Sequence, residues 1–169
     1  MNDTVSTMHE TQSPTLLTIY QSLLNATQAI PLSLTQLAAR VAIAKVFWDS
    51  AQSKLASWPV TEQLFAMEYQ VPLLPPNIAA VVATATEYCG AVLLFLGLFT
   101  RLGALALLGV VAVIQLFVFP GSWGEHLLWA SLLLLLFARG AGKISLDEIV
   151  KRGLVQKLIL RNAVRAMAL

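Results

Sequence analysis

The chain has 169 residues, 57% of them hydrophobic and only 12% charged, with a mean hydropathy of +0.73 and a formal net charge of +2. Average soluble domains carry about 25% charged residues, so this supply cannot cover a globular surface; an ordinary soluble enzyme, a disordered tail and a nucleic-acid binder are excluded. The single cysteine, Cys89, excludes a disulfide framework within one chain and any CxxC metal or redox motif. What remains is a small polytopic membrane protein with few spans.

In chain order, residues 1–33 form an N-terminal tail without Lys or Arg, and within it Pro14 to Ile30 is weakly amphipathic and reads as an interfacial helix or a lead-in. The first residues lack the positive region and apolar core of a cleavable signal. Leu34 to Ala56 is the first predicted span. Arg40, Lys45, Asp49 and Lys54 make it costly, at about 2.5–3.5 kcal/mol for a charge at mid-bilayer. Lys45 and Asp49 stand four residues apart, however, and can pair on one helix face.

The connection from Ser57 to Pro76 has Glu62 and Glu68 but no Lys or Arg, which assigns it to the outside. Three apolar spans follow: Asn77 to Thr100 with Glu87 as its one charge, Leu102 to Phe119 with Gln115, and Trp123 to Ala138. The last is short of the roughly 20 residues a span needs and is extended through Gly121 and Ser122. Arg101 sits in the turn between the second and third spans, on the inside. Seven of the eleven basic residues (Arg139, Lys143, Lys151, Arg152, Lys157, Arg161 and Arg165) follow the last span, so the C-terminus is expected in the cytoplasm. Four spans place the N-terminus there too. The expected organisation is an all-α, four-transmembrane-helix bundle: a tail at 1–33, a membrane domain at 34–142 and a cytoplasmic amphipathic helix at 143–169. Ser145 and Glu148 form a capping box that starts this last helix. Val150, Leu154, Leu158 and Val164 then alternate with basic residues, a pattern suited to an anionic inner leaflet.

Counting from the inner arginines gives the depth of the polar side chains. Glu87 and Gln115 each lie 14 residues from Arg101, and His126 lies 13 from Arg139. At 1.5 Å rise each stands about 20 Å above the inner boundary, with Asp49 near that level and Lys45 a turn deeper. The expected constellation is Lys45, Asp49, Glu87, Gln115, Glu125 and His126. A carboxylate, an imidazole and an amide around an apolar cavity could bind a quinone head group and exchange its protons. Glu87 and His126 would handle protons; Lys45, Asp49, Trp48 and Gln115 would line the pocket. Trp123 and Trp129 could line it as well, or anchor helices at the interface. One histidine in the spans and one cysteine are too few for haem or iron–sulfur ligation, and no metal site is expected. The competing reading is structural: polar groups within a bilayer also hold helices together, at roughly 0.6 kcal/mol per hydrogen bond, and an ion pair between Lys45 and Glu87 could set the register of two helices. Gly90, Gly97, Gly103 and Gly109 read as close-packing positions.

The run from Arg40 to Val150 resembles the DoxX family of bacterial membrane proteins. The resemblance is carried by FWDSAQSKL (Phe47 to Leu55), LFAMEYQVPLLPP (Leu64 to Pro76), EYCGAVLLFLGLFTRLGAL (Glu87 to Leu105), QLFVFPGSWGEHLLW (Gln115 to Trp129) and GAGKISLD (Gly140 to Asp147). Arg40, Lys54, Glu68, Tyr69, Glu87, Arg101 and His126 fall on the shared pattern. The family often has Gly where Ala51 or Ser50 stands, before the Lys that matches Lys54, and GPG where Gly140-Ala141-Gly142 stands. The resemblance implies a four-helix bundle in the bacterial cytoplasmic (inner) membrane. It also implies a link to redox chemistry. A distant branch supplies membrane subunits of a thiosulfate:quinone oxidoreductase, and other members recruit soluble partners of oxidative-stress complexes.

Three functions are compatible with these residues. The first is a quinone-interacting redox subunit, with electrons supplied by a partner and Lys45 or Arg40 holding charge. The second is a membrane scaffold, docking partners through the outer loop with Glu68, Tyr69, Pro72, Pro75 and Pro76 and through the basic tail. The third, a small-solute or proton transporter, has little room for alternating access in four short spans without an inverted repeat, unless the chain oligomerises.

Overall fold

The computed structural model describes residues 15–72 and 74–167, without the side chains of Thr27 and of residues 157–167. Leu158, Val164, Lys157, Arg161 and Arg165, named above, therefore lie outside the described side chains. Every regular element among the described residues is helical. The chain divides into two compact units, Met1–Pro31 and Leu32–Leu169.

In the first unit, α1 (Leu16–Gln28) opens with the Thr18 amide donating to Thr15 O at 2.8 Å. Leu16, Ile19, Tyr20 and Leu23 recur at helical spacing and are exposed, giving α1 one apolar face.

The second unit holds α2 (Leu32–Ala56), α3 (Trp58–Leu64), α4 (Pro76–Leu96), α5 (Thr100–Val113), α6 (Trp123–Arg139) and α7 (Leu146–Met167). Single π turns prolong α3 over Phe65–Tyr69 and α5 over Ile114–Val118. Helix α2 packs on α4, α4 on α5, α5 on α6, and α6 returns to α2, closing a ring of four. Its centre is filled by Ile43 and Phe47 of α2, Leu94 of α4, Leu107 of α5, and Leu133 and Leu136 of α6, all essentially without exposure. Outward-facing residues are largely apolar as well, for example Phe95, Leu102, Leu116 and Leu127. A bundle apolar on both sides is built for lipid. Among the described residues two helices are long and apolar enough to cross a membrane, Pro76–Leu96 and Thr100–Val118, the latter through its π turn.

The helix boundaries have local causes. Pro75 and Pro76 open α4, where the missing amide of Pro76 costs nothing. Gly97 ends it in the left-handed region at φ +66, with Gly97 N bonded to Leu94 O and Leu98 N to Leu93 O, a Schellman closure that favours glycine. At Gly90 a Cβ would lie 2.6 Å from Leu107 Cγ, so α4 and α5 approach closely because this residue has no side chain. Gly109 differs from the close-packing expectation: nothing stands within 4 Å of the Cβ it lacks, and it faces open space.

The connection after α2 is more ordered than the loop expected from sequence. Pro59 sits in the first turn of α3, Trp58 Nε1 donates to Glu62 Oε1 at 2.9 Å, and Thr61 Oγ1 donates to Lys54 O at 2.8 Å. At the other end, the Ser145 hydroxyl accepts the Glu148 amide at 3.3 Å and caps α7.

Candidate functional site

Polar side chains gather at the two ends of the ring. At one end, Arg40 is 2% exposed and spends its guanidinium on backbone carbonyls. Nε donates to Leu94 O at 2.8 Å and Nη2 to Phe95 O at 3.0 Å; Nη1 donates to Ala141 O at 2.9 Å and Ile144 O at 2.6 Å. Two of these are carbonyls at the C-terminal end of α4, where a cation also meets the negative end of the helix dipole. Gln36 Nε2 adds bonds to Arg139 O and Gly140 O. The Asp147 carboxylate accepts the amides of Phe99 and Thr100 at 2.8 and 3.1 Å, while its own amide donates to Gly97 O at 2.9 Å. Arg40 is thus consumed in joining α2, α4 and the turn after α6. It holds no charge in the cavity described next, contrary to the expectation for it. Arg101 lies at this same end, exposed, with Nη2 3.4 Å from Ala138 O.

At the opposite end a cavity of about 530 Å³ opens between α2, α4, α5, α6 and the α3 extension. Phe47, Phe65, Val110, Ile114, Phe119 and Trp129 make much of its wall apolar. Gly109 also faces it, so the missing side chain leaves room. The two π turns supply Phe65 and Tyr69 from one side and Ile114 and Val118 from the other. Such turns re-aim the residues they contain and recur at functional sites.

Two polar constellations interrupt this wall. In the first, Lys54 Nζ donates to Glu87 Oε2 at 2.7 Å and Oε1 at 3.0 Å, and to Ser50 Oγ at 2.7 Å. Glu87 is 1% exposed, whereas the Lys54 side chain keeps 18%. In the second, Gln115 Nε2 donates to Pro120 O at 2.8 Å, which turns Oε1 toward His126 Nδ1 at 2.6 Å. An amide oxygen can only accept, so Nδ1 carries the proton, and in the neutral ring Nε2 is a bare acceptor. No side chain or backbone group among the described residues bonds that nitrogen. Trp129 packs against the imidazole at 5.2 Å between ring centroids and against Phe47 at 6.0 Å. Tyr69 lies on the same wall, held edge-on by Phe65 and Phe119. Burial, with the negative charges of Glu68 and Glu87, pushes its phenol above the ordinary range. The hydroxyl therefore stays a donor at neutral pH.

The structure sorts the sequence candidates. It brings Glu87, His126 and Glu125 to one cavity, with Gln115 directly behind His126. It does not bring Lys45, Asp49 or Trp48 there: Lys45 pairs with Asp49 on an exposed face of α2, and Trp48 stacks on Tyr88 at 5.0 Å. Trp123 is 56% exposed and lies outside the cavity as well. Glu87 meets Lys54, not Lys45. Nine residues separate the two lysines, about two and a half helical turns, so they face opposite sides of α2. Lys54 falls 14 residues after Arg40, and that double-heptad spacing was the signal available in the sequence. Glu68 is exposed beside Tyr69. Among the described residues no group of three or more His, Cys, Asp or Glu side chains is arranged to hold a metal ion. The family model described as DoxX matches residues 35–120, just over half of the chain. No curated protein and no solved structure matches it.

Proposed function

Since the chain belongs to the DoxX family, a family of membrane proteins, we propose that α2, α4, α5 and α6 all cross the bilayer and enclose a quinone-binding cavity. In this reading both termini are cytoplasmic in a bacterial inner membrane, residues 34–142 are the membrane domain, and α7 lies on the inner leaflet. The basic residues support this orientation: Arg101, Arg139 and Lys143 stand at the Arg40 end, and the α3 connection at the other end has none. Helix α6, at 17 residues, is at the short limit for a span. Helix α2 keeps two of its four charges within the bundle, Arg40 bonded to carbonyls and Lys54 to Glu87.

The observation that carries the functional reading is the cavity itself. Its volume falls within the roughly 300–1,000 Å³ of small-molecule sites, and its wall has their character, apolar with a few convergent polar groups. A quinone ring presents two carbonyl oxygens, and a quinol presents two hydroxyls. The Tyr69 hydroxyl is a donor suited to the first, and His126 Nε2 is an acceptor suited to the second. Lys54 and Glu87 supply an exchangeable proton pair beside them. Interconversion moves two electrons and two protons; the electrons come from a redox partner, and these residues pass the protons. The protein is thus read as a quinone-interacting membrane subunit.

The test is extraction of lipids from the protein in native-membrane nanodiscs, with quinone quantified by mass spectrometry. Stoichiometric quinone is expected in the wild type, falling to the bulk-lipid ratio in Glu87→Gln and His126→Leu. Tyr69→Phe removes one donor without disturbing the ion pair and is expected to lose quinone several-fold. Quinone at the bulk-lipid ratio in the wild type overturns the reading.

A further inference from the structure

Apart from the quinone cavity, the Arg40 end carries a second concavity, of about 740 Å³, between the start of α2, the α4–α5 turn, the end of α6 and the first turns of α7. Arg101, Arg139, Lys143 and Lys151 line it. Its two carboxylates are already engaged: Asp147 with the amides of Phe99 and Thr100, and Glu148 with Arg152 Nε at 2.9 Å. None of the four cations has a carboxylate within ion-pair distance among the described residues. The lining thus carries four cations against two carboxylates, and an anion between the cations offsets the remaining positive charge.

The rim adds a second property. Phe99 and Leu102 line the same groove and are 64% and 63% exposed. Phe99 stands at φ +47, a left-handed conformation that a bulky side chain rarely adopts. The Asp147 carboxylate holds its amide there. The Phe99 ring is exposed on the same groove as the cations. A cationic concavity bordered by outward apolar side chains, at the end of a membrane bundle, has the two-part chemistry of an anionic phospholipid. We propose that this groove binds the phosphate headgroup of an anionic phospholipid, with its acyl chains along Phe99 and Leu102. The site needs only that the chain sits in a bilayer and is independent of the quinone reading.

The experiment is native mass spectrometry of the full chain released from mixed bilayers of phosphatidylglycerol and phosphatidylcholine. The wild type is expected to retain phosphatidylglycerol at least tenfold over phosphatidylcholine. Arg139→Gln and Lys143→Gln, both at exposed positions, are each expected to lower that preference about fivefold, the contribution of one basic residue near an anionic surface. Arg165→Gln, 14 residues along α7 from Lys151 and so about 21 Å beyond it, is expected to leave it unchanged. Millimolar inorganic phosphate is expected not to displace the lipid. Displacement by phosphate assigns the groove to a soluble anion and overturns the lipid assignment. Equal retention of the two lipids, as expected if an acidic protein surface fills the groove instead, overturns it too. So does an Arg165→Gln effect as large as the others, which reduces the preference to general surface charge.

Discussion

Arg40 and Lys54 lie on one face of the same helix, near its two ends, and the protein uses them differently. Arg40 gives four hydrogen bonds to carbonyls from two parts of the chain. Its planar fork suits several fixed acceptors, and its charge is permanent. Lys54 bonds one carboxylate and one hydroxyl on the wall of a cavity. An ammonium is a compact donor that can give up its proton. A buried charge spent on backbone acceptors is therefore architecture. A buried charge paired with another side chain beside open space is available for chemistry. Burial alone does not separate the two cases; the identity of the partner does.

The largest expected effect breaks the architectural end. Arg40→Leu orphans carbonyls of Leu94, Phe95, Ala141 and Ile144 and is expected to cost on the order of 5 kcal/mol or more. A thermal melt of purified protein should show the midpoint falling by about 10 °C or more, and Arg40→Lys should recover only part of it, because an ammonium cannot span the same four acceptors. A small shift for Arg40→Leu would contradict the architectural assignment.

The Lys54–Glu87 pair sharpens the contrast. Glu87→Gln alone leaves Lys54 without its counter-charge and is expected to cost about 3 kcal/mol. The double variant Lys54→Met with Glu87→Leu removes both charges and is expected to return to within ~1 kcal/mol of the wild type. It should still fail to retain quinone. Recovery of stability together with retained quinone would make the pair structural, like Arg40.

The smallest effect is at the start of α7. The Arg152 guanidinium, through its bond to Glu148, holds that carboxyl below the usual glutamate range, with Lys151 and Lys143 adding to it. The support this gives to the first turn is present above the ordinary glutamate value of about 4.3 and is lost as the pH falls through the lowered folded value. Hydrogen exchange of the first α7 amides should quicken at acid pH in the wild type, and Arg152→Ala should abolish most of that dependence. The Asp147 anchor, which rests on backbone amides, should be insensitive to Arg152→Ala.

Much of the fold was legible because hydropathy and helix punctuation are local. The expected segment beginning at Trp123 starts its helix at that residue, and the Asn77 segment starts within one residue of its expected position. Ser145 and Glu148 likewise meet as the capping pattern expects. The two π turns were not legible. They depend on how α3 and α5 pack, and nothing in FAMEY or IQLFV distinguishes them from an ordinary helix. The role of Asp147 was also hidden, because its acceptors are satisfied by amides nearly fifty residues away.

The sequence by itself determined a helical, lipid-facing chain and the presence of Glu87, Gln115 and His126 within otherwise apolar helices. Those properties follow from composition and from the fixed rise of a helix, which convert counting into depth. Only the tertiary structure decided which residues meet at that depth. The rotation of α2 about its axis turns Arg40, Phe47 and Lys54 inward and Lys45, Trp48 and Asp49 outward. Both lysines are charged and both lie in one helix, so hydropathy could not choose between them. The choice was made by packing of Ile43, Ala44 and Phe47 into the bundle, which fixes the buried face of α2 and carries Lys54 to Glu87.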